Sequence, residues 1–332
     1  MRSGRGRSVP PTPSSHGSSA ARFASASRVR KLQRPVGAHA DGPPLPAGVA
    51  SSKVVVDGLT VPVSSAGPAE SAQAVVFVHG NPGSRRDWDD LLSRVAPFSR
   101  ALALDMPGFG HADKPGDFTY TVEGYGRFLE AALEELEVRR AHLVLHDFGG
   151  PWGLEWASRN PNRLASAVLI NTGALLDYQW HYLARIWRTR LAGEVFQATT
   201  TRSGLRTALR HGNPRGLPRA FVDRMYDDMD ARTSRAILRL YRATDDPSAI
   251  GRRHADALRP LDRPALVVWG AHDPYLPVAM AARQREVFPS AELAVLQDSG
   301  HWPFADNPDA VGRLVEPFLR RTVSGDRAGV TA

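Results

Sequence analysis

The stretch "HLVLHDFGGPWGL", residues 142–154, decides how this chain is read. Its first residues form an apolar run of the kind a strand buried on both faces needs. The run ends on Asp147, and Gly149 and Gly150 follow almost at once. Two glycines remove the Cβ atoms that would collide if a strand turned sharply into a helix. A carboxylate at such a turn has three readings: a helix cap, a metal ligand or a nucleophile.

The same form recurs along the chain. "AVVFVHG" (74–80), "ALALDMPG" (101–108), "SAVLINTG" (166–173), "PALVVWGAHD" (264–273) and "AELAVLQDSGH" (291–301) are apolar runs ending in small or polar residues. "KVVVDG" and "LTVPVSS" read as a hairpin of short strands before them. Helical spacing fills the intervals 87–96, 121–137, 149–160, 277–287 and 307–321. Strand alternating with helix predicts an α/β fold with a mostly parallel, doubly wound sheet. The alternation breaks over 174–252, which has helical spacing, many Arg and no clear strand. The expected organisation is therefore a core over 51–173 and 253–322, with a helical cap at 174–252 inserted between two core strands. A cap so placed covers the carboxyl ends of the strands, where open α/β sheets bind ligands.

Composition bounds the rest. A chain of 332 residues with 42% hydrophobic content supports one large domain or a core with an insert. It has no cysteine, which excludes disulfides, thiolate metal sites and a cysteine nucleophile. No apolar run approaches the ~18–20 residues of a membrane span. The net charge of +8 is concentrated in residues 1–50, which carry seven Arg and one Lys against one Asp, so the folded part is nearly neutral. Nucleic acid is excluded as a partner of the domain on that ground. Residues 1–50, rich in Ser, Pro and Arg, are expected to be a disordered extension, and 323–332 a flexible tail. A cytoplasmic location is expected, with an organelle transit peptide as the other reading of the basic extension. Oligomeric state is not legible in these features.

Four strand-ending segments carry useful chemistry: "HGNP" (79–82), "HDFGG" around Asp147, "GAHDPYLP" with Asp273, and "DSGHWPFADNP" with His301. The order nucleophile, acid, histidine matches that of the α/β-hydrolase triad. No "GxSxG" occurs, so serine chemistry has no seat and Asp147 is the candidate nucleophile. An aspartate is already ionised at neutral pH and can attack saturated carbon, leaving an alkyl ester on the enzyme. His301 is then the general base for the hydrolytic water, and Asp273 fixes its tautomer. Backbone N–H groups of Asn81 and Phe148 are the expected oxyanion hole. His79, His146 and Asp105 read as scaffold. No spacing supports a metal site, and no cofactor is expected.

Residues from about 53 to 322 resemble an α/β-hydrolase of the epoxide hydrolase and haloalkane dehalogenase group, through "HGNP", "DMPGFGHADKP", "HDFGG" and "SGHWP". The resemblance implies the α/β-hydrolase fold and the Asp-His-Asp triad. In one dehalogenase subgroup the halide is held by the Asn of "HGN" and a Trp directly after the nucleophile; Asn81 fits, whereas Phe148 has no N–H. Fluoroacetate dehalogenases carry Arg after the nucleophile, and this chain does not. Epoxide hydrolases use two cap tyrosines as acids, and "LLDYQWHY" and "LRLYRATDD" place Tyr178 and Tyr241 there, with Tyr182 one turn from the former. Opening of an epoxide to a diol is the leading expectation. Haloalkane dehalogenation, ester or lactone hydrolysis with Asp147 as base, and non-catalytic ligand binding are the alternatives. Trp180, Trp187, Phe196 and Tyr226 predict a small apolar or aromatic substrate.

Overall fold

The computed structural model describes residues 44–325. The extension up to residue 43 and the tail from 326 lie outside the described residues. Eight strands form one sheet: β1 (Ala50–Val56), β2 (Leu59–Ala66), β3 (Gln73–Val78), β4 (Arg100–Leu104), β5 (Arg140–His146), β6 (Leu164–Ile170), β7 (Ala265–Gly270) and β8 (Glu292–Leu296). The helices are α1 (Asp89–Val95), α2 (Val122–Glu135), α3 (Gly149–Arg159), α4 (Tyr182–Arg188), α5 (Ala192–Thr199), α6 (Arg202–Ala208), α7 (Arg219–Asp227), α8 (Ala231–Ala243), α9 (Pro247–Leu258), α10 (Ala279–Arg283), α11 (Pro303–Asp306) and α12 (Pro308–Ser324). None of them is long and apolar enough to cross a membrane.

The sheet order is β1-β2-β4-β3-β5-β6-β7-β8. β1 and β2 form the expected hairpin, turning over Asp57 and Gly58, both at positive φ, as an Asp-Gly turn requires. β2 also pairs antiparallel with β4, and every later pairing is parallel. The chain order reverses around β3, which lies between β4 and β5. That reversal opens a crevice at the carboxyl ends of the strands. It also fixes the site: Val78 pairs with Leu145, so the residues just after β3 and β5 meet.

Alternate residues of the central strands feed two cores. Val76, Val78, Leu143, Leu145 and Leu169 join α2 and α3 on one face. Val75, Phe77, Val144, Val168 and Ile170 join α1 and α12 on the other. β5, β6 and β7 are buried almost throughout, as their continuous apolar runs predict. β8 differs. It lies at the sheet edge and is only partly buried, because no strand covers its outer side. The chain between β6 and β7 is helical, from α4 to α9. α9 straddles residue 252 and packs on α3, with His254 hydrogen-bonded to Glu155 and Ala255 and Leu258 buried in the core.

Candidate active site

Asp147 follows β5 with φ +49°, a left-handed conformation rare for a residue with a side chain. Such a backbone costs about 1–3 kcal/mol and persists only where neighbours enforce it. Here they do. The Thr172 hydroxyl and the Gly150 N–H donate to the Asp147 carbonyl. A Cβ on Gly149 would come within 2.2 Å of the Val78 carbonyl oxygen, and one on Gly80 within 2.3 Å of the Asp147 Cβ. The turn is thus pressed against the end of β3, and the carboxylate stands at the N-terminus of α3.

The carboxylate has two fixed neighbours. The Asn81 N–H donates to Oδ1 at 2.7 Å, and His301 Nε2 lies 3.5 Å from Oδ2. Burial pushes the Asp147 carboxyl up, but the His301 hydrogen bond and charge outweigh it and hold the group at about 2. For His301, burial acts downward, and the Asp273 and Asp147 carboxylates overcome it, raising the imidazole to about 10. His301 Nδ1 donates to Asp273 Oδ2 at 2.7 Å. The resting arrangement is a cation between two anions.

Asp273 is held as firmly. Its Oδ1 accepts the N–H groups of Tyr275 and Leu276, and its Oδ2 also accepts from Asn171 Nδ2 at 2.7 Å. Asn171 has φ +44° and takes the Gly270 N–H on its Oδ1, so it ties the ends of β6 and β7 together. The histidines and Asp105 flanking these segments brace them. His146 Nε2 donates to the His301 carbonyl at 2.8 Å, and burial keeps His146 neutral, at about 3. His79 Nε2 accepts the Met106 N–H while its Nδ1 donates to the Gly80 carbonyl. Asp105 accepts the N–H groups of Arg85 and His111.

Phe148 starts the turn into α3, and its ring packs on Tyr241 at 5.0 Å and on Trp152 at 5.9 Å. Tyr241, on α8, is buried, and its hydroxyl receives Asn81 Nδ2 at 3.4 Å. Burial pushes the Tyr241 phenol well above 10, so it stays protonated. Two hollows meet at Asp147. The larger, of 310 Å³, is lined by Asn81, Asp147, His181, Tyr241, Tyr275 and His301 at its inner end. The smaller, of 20 Å³, is lined by Asp147 together with Phe148, Tyr178 and Trp180. Tyr178 shares only the small recess with Asp147, whereas Tyr241 borders both. Tyr182 also lines the large cavity but is 54% exposed. Trp187 and Phe196 line the large cavity, while Tyr226 instead lies under the Arg202 guanidinium.

Sequence reading gave no role to His181, Tyr275, Asn171 or Thr172. His181 caps α4, its Nδ1 accepting the Ala184 N–H, and burial lowers it to about 4. The neutral ring thus carries its proton on Nε2. It borders both hollows, 6.1 Å from the Tyr241 ring and 5.1 Å from that of Tyr275. Tyr275 packs edge-on to His301 at 5.0 Å. The available signals were the His directly before Tyr182 and the Tyr two residues after Asp273, neither specific alone. Among the described residues no group of three or more His, Asp or Glu is arranged to hold a metal ion.

The family model for the alpha/beta hydrolase fold matches residues 73–308. A haloalkane dehalogenase of Mesorhizobium japonicum is 26% identical over 299 residues, covering 85% of this chain and 95% of that protein. A haloalkane dehalogenase of Agrobacterium fabrum is 37% identical over 129 residues, covering 37% of this chain and 42% of that protein. Among solved structures, a haloalkane dehalogenase loop variant from Bradyrhizobium elkanii superposes with a TM-score of 0.74 at 23% identity, covering 85% of this chain and all of that one. The Cif epoxide hydrolase from Acinetobacter nosocomialis gives 0.71 at 16% identity, covering 82% of this chain and 90% of that one. At these identities the likeness of the structures is one of fold.

Proposed function

We propose that this chain, which belongs to the alpha/beta hydrolase fold family, is a hydrolase that opens an epoxide to a diol through an ester on Asp147. The observation that carries the reading is the Tyr241 hydroxyl. It receives a hydrogen bond from Asn81, which leaves its own proton free, and it borders the cavity that Asp147 faces. A protonated phenol beside an ionised carboxylate is the acid–nucleophile pair that ring opening needs.

The first step forms a bond between an Asp147 oxygen and an epoxide carbon. The ring C–O bond breaks, its electron pair stays on oxygen, and the Tyr241 proton neutralises it. The His181 Nε2–H and the Tyr178 hydroxyl are further donors beside the same carboxylate. Esterification removes the negative charge from Asp147. One of the two anions that hold His301 protonated is then gone, and the imidazole falls towards its ordinary range. The imidazole then gives up its proton, which returns by way of solvent to the Tyr241 phenolate, so the base is freed only after the step that precedes its use. Water, deprotonated by His301, then attacks the Asp147 carbonyl carbon, and the oxyanion is received by the N–H groups of Asn81 and Phe148. Collapse releases the diol and restores the carboxylate.

Halide displacement by the same carboxylate is the second reading, favoured by Asn81 Nδ2 at the cavity and by the similarity to haloalkane dehalogenases. Phe148 supplies no second side-chain donor. Single turnover in heavy-oxygen water tests the leading reading: the first diol carries unlabelled oxygen from Asp147, and later diols carry the label. Solvent label in the first diol would overturn it, and halide release from short haloalkanes without diol formation would favour the second.

A further inference from the structure

The large cavity does not end near Asp147. Its lining continues along α4 and α8 to α5 and α6, where several of the lining residues are exposed to solvent. One wall is aromatic: Tyr241 packs on Trp187 at 4.8 Å, and Trp187 on Phe196 at 6.2 Å, leading from the carboxylate to α5. Ile237 and Leu205 add apolar surface. At the mouth stand Thr199, Thr200 and Thr201, with Thr199 and Thr201 exposed to solvent.

Two properties of this channel identify its occupant. The first is charge. The insertion is rich in Arg, yet among the described residues that line the cavity the only charged groups are Asp147 and His301. Arg202 and Arg206, beside the mouth, are turned to Asp223 and Asp227. Away from Asp147 and His301, which neutralise one another, and with the charges beside the mouth already paired, a carboxylate or an ammonium in the channel is desolvated without a free counter-charge. The second property is hydrogen-bond polarity. The Thr199 hydroxyl donates to the Val195 carbonyl and the Thr200 hydroxyl to the Phe196 carbonyl, each at 2.8 Å. Their protons are committed to α5, so these two offer a ligand lone pairs, while the Thr201 hydroxyl, which accepts the Gly204 N–H, can give or accept. Gln197 beside them can both give and accept.

We propose that the substrate is an uncharged, elongated molecule. Its reacting carbon lies at Asp147, its apolar body runs along Tyr241, Trp187 and Phe196, and its far end donates a hydrogen bond to the threonine rim. This rests on the reading of Asp147 as the reacting group. The cavity volume of about 310 Å³ falls within the range of small-molecule sites.

The test uses unreactive probes, so that it reads binding and not chemistry. Dissociation constants are measured by calorimetry on the unmodified full-length protein for four ten-carbon chains with a hydroxyl at one end. The other end is hydroxyl, methoxy, carboxylate or ammonium. The diol is expected to bind about three- to tenfold more tightly than the methoxy compound, the range of one neutral hydrogen bond, and the two charged probes at least tenfold more weakly than the diol. Thr200→Val is expected to bring the hydroxyl-to-methoxy ratio towards one. Ala208→Trp, at the lined mouth, is expected to weaken all four probes while sparing a four-carbon diol. Equal binding of diol and methoxy compound, tightest binding of a charged probe, or no binding of the diol up to its solubility limit each overturn the proposal. Because no probe carries an electrophilic carbon, loss of the ester chemistry with this preference intact would count against the function proposed for Asp147 and not against the channel.

Discussion

His301 Nε2 stands 3.5 Å from Asp147 Oδ2, and the charge of that carboxylate helps to hold the imidazole protonated up to about 10. A protonated imidazole cannot act as a base, so the two half-reactions should differ in their response to pH. Ester formation uses a carboxylate already ionised above about 2 and should be flat between pH 6 and 9. Ester hydrolysis should rise with pH, with an apparent pKa below 10, because the esterified Asp147 no longer stabilises the cation. Rapid-quench mass spectrometry of the protein across that range reads both steps. Ester formation that tracked an imidazole titration would sink the account.

Tyr241→Phe keeps the ring against Phe148 and Trp187 and removes only the hydroxyl. General-acid catalysis is worth roughly 10²–10⁴. The variant should lose about a hundredfold or more in the rate of ester formation from an epoxide, with the hydrolysis of ester already formed unchanged. Pre-steady-state kinetics separate the two. An equal fall in both steps would mean that Tyr241 supports the site's shape and donates no proton.

Much of this fold could be read from the chain because its central strands are buried on both faces, and burial leaves unbroken apolar runs. β8 was misjudged as equally buried because its edge position depends on what lies beside it, which its own residues do not encode. Asp147, Asp273 and His301 were legible as candidates because each stands within five residues of the end of a strand-like run. Asn171 follows one too, but its role arises from a left-handed backbone that turns the amide towards Asp273. His181 and the threonine rim belong to helices whose facing is set by docking on the core, and helical periodicity alone does not give that.

Gly80→Ala should disable the enzyme without unfolding it. The new Cβ would sit 2.3 Å from the Asp147 Cβ and 2.5 Å from its Oδ1, so the carboxylate must move. A displacement of about 1 Å in a reacting group can cost about a hundredfold in rate. The expected result is a hundredfold or greater loss in kcat/KM with a melting temperature within a few degrees of the parent. Retained activity would show that the carboxylate has slack which the packing around Gly80 does not reveal.

Acid should unfold this protein through its buried neutral histidines. Burial lowers His142 to about 4, His146 to about 3 and His181 to about 4. An unfolded histidine titrates near 6.5. Between pH 6.5 and 4 the unfolded chain therefore binds protons at these positions that the folded chain does not, and stability falls as pH falls. Three such groups set a slope of at most about 4 kcal/mol per pH unit. Asp87 and Asp306, whose carboxyls burial raises, act in the opposite sense, so the diagnostic quantity is a difference between variants. His142 is the one to change, since its Nδ1 meets the Ser166 hydroxyl far from the cavity. Urea midpoints of the parent and of His142→Leu, measured from pH 7 to 4.5, should show a shallower dependence in the variant by about one proton. Parallel curves would mean that His142 is already protonated in the folded chain, and that burial does not control its charge.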